Sequence, residues 1–160
     1  MIKELIPEVD RRYRTVSAPT ARFVTGHSSG GWSSLWLQVN YPNVFGGVWS
    51  TAPDPVDFRD YQEVNLYAES PLSLYTNPEG QRRPLARRNG EVMIWYEDFG
   101  RMDDGLGRGG QLKSFEAVFS PLDKQGKPLL MWTRDQGTII PATVKYWVEY
   151  DINKLIERRW

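Results

Sequence analysis

Ala21-Arg22-Phe23-Val24-Thr25-Gly26-His27-Ser28-Ser29-Gly30-Gly31-Trp32 is the stretch whose reading decides this chain. It holds Gly-x-Ser-x-Gly at 26–30. The β-like run 21–24 leads in, and a helical pattern from Trp32 to Tyr41 leads out. A serine at such a cramped strand-to-helix turn has its hydroxyl exposed, as a nucleophile needs. Gly26 and Gly30 are expected to keep Cβ atoms out of the crossing of strand and helix. The Ser29 N–H would open the helix and face a developing oxyanion. His27 and Gly31 complete the supports of the turn. The bland alternative is a plain glycine-rich βα turn, and the flanking strand and helix favour the nucleophile.

Composition narrows the classes. The chain has 160 residues, which predicts one domain with a sizeable core. Twenty basic residues balance twenty acidic ones, so no basic stripe points to nucleic acid or an anionic membrane. There is no cysteine, hence no disulfide or thiolate metal site. No run of about 18 apolar residues is available to span a membrane. No His/Asp cluster has metal-ligand spacing, and nothing implies a cofactor. Seven Trp and eight Tyr are many for this length and are expected in core or lid packing, some of them along an apolar cleft.

Along the chain, residues 2–14 read as an amphipathic helix with Ile2, Leu5, Ile6, Val9 and Tyr13 on one face. Glu8 and Arg12 make a favourable pair one turn apart. Residues 22–25 read as a short strand, and helical spacing then places Trp32, Leu35, Trp36 and Val39 on one face of a helix that ends before Pro42. Phe45–Ser50 is the next strand, closed by Thr51-Ala52-Pro53-Asp54-Pro55. This alternation predicts an α/β parallel sheet. Residues 1–55 are read as the core segment and 56–160 as an insert or lid. Within the latter, Val64–Tyr67 and Val92–Tyr96 read as β-like, 111–119 and 141–158 as helices, and 121–128 as a break. Pro141 suits the first position of its helix.

The segment Glu4-Leu5-Ile6-Pro7-Glu8-Val9-Asp10-Arg11-Arg12-Tyr13-Arg14-Thr15 resembles the one that precedes the nucleophile strand in the esterase D / putative esterase family. That family includes feruloyl, acetyl-xylan and enterochelin esterases and the mycolyltransferases. Tyr41-Pro42-Asn43-Val44-Phe45-Gly46 matches the family's entry to the following strand. The resemblance covers residues 4–52. It implies an α/β-hydrolase fold, with a partial parallel sheet here. It also implies hydrolysis of a small-molecule or carbohydrate-linked ester through acyl-Ser28, with Ser29 N–H as one oxyanion donor. An acyltransferase of the same fold is an alternative. So is a non-catalytic protein that binds a carbohydrate or hydrophobic ligand through the aromatic-rich 56–160 region.

The family also needs an acid and then a histidine, later in the chain. The one histidine here is His27, next to Ser28 and expected to leave the turn in another direction. The expectation is therefore a fragment, lacking its first strands and its acid and base. Asp54, after the second strand, is the candidate acid, against a turn-forming role before Pro55. Asp57, Asp60, Asp103 and Asp104 read as solvated or capping. Gly105-Leu106-Gly107-Arg108-Gly109-Gly110 matches a dinucleotide pattern but lacks a preceding strand, so it reads as a lid loop. Arg82-Arg83 and Arg87-Arg88 read as a solvated basic loop, or as a contact for an acidic group.

Overall fold

A computed structural model describes residues 1–69, 72–107 and 110–159. The chain divides into two compact units, residues 1–56 with those from Ile152 on, and residues 57–151.

In the first unit, helix α1 spans Leu5–Arg12, shorter than the 2–14 read from periodicity. Pro7 explains the late start. It fits the first turn, where its missing N–H is no loss, but its ring would clash with the carbonyl four residues back if the helix began earlier. Glu8 pairs with both Arg11 and Arg12. Arg22 Nη2 meets Asp10 Oδ2 at 2.8 Å and Arg22 Nη1 donates to Val44 O, which ties α1 to the strand that follows.

The Thr15 and Ser17 hydroxyls donate to Asp10 and hold its carboxyl below the ordinary value, with Arg22 adding to the effect. A carboxyl lowered on folding stabilises the fold fully above its unfolded pKa, and loses that contribution as pH falls through the folded one. The stability advantage of the wild type over Asp10→Asn should therefore be constant above about pH 5 and shrink as pH falls below about 4. Urea unfolding at a series of pH values checks this.

Strand β1 (Phe23–His27) pairs in parallel with β2 (Gly47–Thr51), Val24 opposite Val48 and Gly26 opposite Ser50. Helix α2 (Ser29–Asn40) connects them. This is the expected parallel βαβ alternation, with strands placed one or two residues later than read. Phe45 is buried at the turn before β2 instead of lying in it. The helix begins three residues before Trp32, so the turn is the single residue Ser28. The sheet face away from α2 carries Phe23 and Trp49, 67% and 77% exposed. Helix α6 (Ile152–Arg159) contacts α2, and Arg159 donates to the Val39 and Asn40 carbonyls at the helix's end.

The second unit differs more from expectation. Val64–Tyr67 is not a strand. Tyr61-Gln62-Glu63-Val64 makes a tight turn, with Gln62 and Glu63 at φ 51° and 63°, and Val64 and Leu66 are buried. Strands β3 (Pro84–Arg88) and β4 (Glu91–Trp95) form an antiparallel hairpin. Its turn is Asn89-Gly90 at φ 52° and 86°, a pair that favours the twist of a two-residue hairpin loop. The arginine cluster accordingly splits. Arg83 is buried, donates to Leu74 O and Gln62 O, and stacks on Tyr96, while Arg82 lies over Trp95 and pairs with Glu97 and Asp98. Arg87 and Arg88 are exposed on β3.

Helix α3 (Tyr96–Gly105) follows β4 directly, and α4 (Gln111–Phe119) lies where it was read. Asp103 caps α4 from a distance, accepting the Leu112 N–H at 2.8 Å and the Gln111 and Lys113 N–H groups. Of the 105–110 pattern, Arg108 and Gly109 lie outside the described residues. The helix read as 141–158 is two. Helix α5 (Pro141–Trp147) runs into a 3₁₀ turn, and Asp151 turns extended before α6. Asp151 is fully buried and accepts the Phe58 N–H and the Tyr67 hydroxyl.

The core of this unit is aromatic. Phe58, Tyr61, Phe119 and Trp147 meet at ring separations of 5.1–6.1 Å. Tyr75, Tyr96 and Trp132 are also buried. These core rings are thus spent on packing, while Tyr146 in the same unit is 41% exposed. Among the described residues, no helix is long and apolar enough to cross a membrane.

Candidate active site

Ser28 joins β1 to α2 at φ 54° and ψ −125°. An L-residue in that region costs about 1–3 kcal/mol, and persists only where its surroundings over-determine it. Both backbone groups of Ser28 are fixed. Its N–H donates to Thr51 O at 3.1 Å, extending the β1–β2 ladder by one residue, and its carbonyl accepts the Trp32 N–H at 3.0 Å, opening the helix. The hydroxyl is left at the tip of the turn.

The glycines are not equivalent. A Cβ at Gly26 would lie 2.1 Å from Gly30 O, so the strand passes too close to the helix for any side chain. At Gly30 itself a Cβ meets nothing within 4 Å, and the steric role expected of it falls to Gly31. There a Cβ would stand 2.9 Å from Thr51 O and 3.2 Å from Pro53 Cα. Gly31 thus lets the loop after β2 close onto the first turn of α2.

That loop delivers Asp54. Ser29 Oγ donates to Asp54 Oδ2 at 2.6 Å, and Ser28 Oγ lies 3.5 Å from Asp54 Oδ1. Sequence reading gave Ser29 only a backbone role, and its hydroxyl is the partner it missed; the Ser-Ser doublet was the available signal. The Ser29 N–H is in the first turn, where helices have no internal acceptor for it. His27, the last residue of β1, is exposed, and its side chain forms no hydrogen bond among the described residues. Along a strand, side chains alternate between faces, so His27 shares the open face with Phe23 and Thr25.

These residues give a strained serine, an N–H at a helix start and a nearby carboxylate. A family profile described as Putative esterase matches residues 1–151. The chain belongs to the putative esterase family. The match does not stop at residue 52, where the motif resemblance ends, and it takes in the whole of the second unit. Membership carries the general activity class, an esterase-type hydrolase. It agrees, as does the parallel β1–α2–β2 unit, with an α/β-hydrolase-like fold. No curated protein matches the chain.

Proposed function

We propose that this member of the putative esterase family cleaves a small-molecule or carbohydrate-linked carboxylic ester with Ser28 as nucleophile. The backbone of Ser28, φ 54° and ψ −125° between β1 and α2, is the observation that carries the reading. Ser28 Oγ bonds to the carbonyl carbon, and the oxyanion forms at the Ser29 N–H. The C–O bond to the alcohol breaks, and the alcohol leaves with the serine proton. Water then adds to the acyl-serine, the acid departs and Oγ regains a proton. Nucleic acid and membrane are not partners in this reading.

A base is the missing part. His27 is the one histidine in these residues; it ends β1 on the open face with Phe23 and Thr25, and among the described residues no hydrogen bond joins it to the Ser28 hydroxyl. Hydrogen-bond reach of about 2.6–3.2 Å is what a base requires. The 160 residues should therefore release at most about one equivalent of p-nitrophenolate from p-nitrophenyl acetate, without sustained turnover. That release should vanish in Ser28→Ala. Sustained turnover that Ser28→Ala abolishes would reveal a base within these residues and refute the missing-base part. Release unaffected by Ser28→Ala would refute the nucleophile.

A further inference from the structure

Asp54 is built into the elbow more firmly than a turn aspartate needs to be. It lies between Pro53 and Pro55, whose rings fix their own backbone and restrict the residue before each. Ala52, two residues earlier, has φ 40°, the left-handed region that alanine avoids. The loop thus accepts strain to return to α2, and the absence of a Cβ at Gly31 lets it fit. Asp54 is half-buried, and its oxygens face Ser29 Oγ and Ser28 Oγ rather than the backbone of its own turn. Among the described residues, no Lys or Arg lies within ion-pair distance of it.

An unbalanced carboxylate 3.5 Å from the attacking oxygen has a consequence for the substrate. Once Ser28 Oγ bonds to a carbonyl carbon, the first atoms of the acyl group come within a few ångströms of Asp54. A negative charge there is repelled. A cation or hydroxyl donor there is attracted, and offsets the cost that Asp54 adds to the developing oxyanion. We propose that Asp54 is the specificity-determining residue of the Ser28 site, selecting esters that carry an ammonium or hydroxyl donor close to the carbonyl and rejecting anionic acyl groups. This rests on Ser28 being the nucleophile.

The test uses three p-nitrophenyl phosphonates that differ only at the end of a short alkyl arm: methyl, ammonium or carboxylate. Each bonds its phosphorus to Ser28 Oγ as the P–O bond to p-nitrophenolate breaks and the serine proton passes to solvent. Release of p-nitrophenolate gives the rate, and peptide mass mapping gives the site. The ammonium probe should label Ser28 about tenfold faster than the methyl probe, and the carboxylate probe slower by a similar factor. Asp54→Asn should bring all three within about twofold, while Asp54→Glu should keep their order. In the wild type the spread should narrow as salt rises from 0.02 to 0.5 M, a readout that needs no variant and shows the selection to be electrostatic. A spread on Ser28 that Asp54→Asn and salt both leave intact would overturn the role of Asp54 alone. A folded chain in which no probe reaches Ser28 would overturn the nucleophile, and this inference with it.

Discussion

Gly26→Ala is expected to cost about 4 kcal/mol of stability or more, whereas Gly30→Ala should be neutral or stabilising by up to about 1 kcal/mol. The two glycines belong to one motif, and one methyl group separates their fates. At Gly26 the added carbon would sit 2.1 Å from Gly30 O, 2.2 Å from Gly30 C and 2.8 Å from Gly31 N. All three are backbone atoms of the first turn of α2, so no side chain can swing aside. Relief requires moving the helix from the strand, which strains the Trp32 N–H bond to Ser28 O that opens the helix. At Gly30 nothing stands within 4 Å, and alanine restricts the unfolded chain more than glycine does. Urea midpoints at constant slope measure both. Equal effects at the two positions would mean that the strand and helix do not cross as described.

Trp147→Ala should cost about 3–5 kcal/mol. Trp147 is fully buried and meets Phe58, Tyr61 and Phe119 at ring separations of 6.1, 5.4 and 5.1 Å. Its removal leaves a cavity that the three surrounding rings cannot collapse to fill, because ring packing is stiff. Its Nε1 also donates to Ser120 Oγ at 2.8 Å. Trp147→Phe keeps most of the ring contacts and loses that bond, so it should cost about 1–2 kcal/mol. The same unfolding measurement orders the pair, and a loss below about 1 kcal/mol for Trp147→Ala would contradict the aromatic core.

The elbow was legible because its signals are local. A glycine where strand and helix cross, a serine between them and apolar residues at helical spacing after it all lie within twenty residues. Of the hairpin only its second strand was read, as the β-like run Val92–Tyr96; the Asn89-Gly90 turn is a strong signal that went unread, because four nearby arginines made the first strand look like a solvated loop. Helix α3 was not, because the residues it buries are Tyr96, Gly100 and Asp103. Their spacing is helical, but only Tyr96 among them offers an apolar body. Gly100 is there because a Cβ would press on the Tyr75 hydroxyl at 2.6 Å, and Asp103 because it caps the next helix.

The break at Asp151 was hidden for the opposite reason. Apolar spacing from Val144 to Ile156 runs smoothly through it, while its partners Phe58 and Tyr67 lie 93 and 84 residues away. Asp54 stands between these cases. Its place after a strand was readable, but its approach to Ser29 depends on the φ of Ala52 and on the space at Gly31, and neither is written in a local pattern.

The most direct measurement is mass mapping of the chain after reaction with a neutral fluorophosphonate. The strained turn predicts one adduct, on the peptide containing Ser28, formed ahead of any at the other serines and absent in Ser28→Ala. Adducts spread among several serines, or undiminished by Ser28→Ala, would contradict the assignment of Ser28 as the nucleophile.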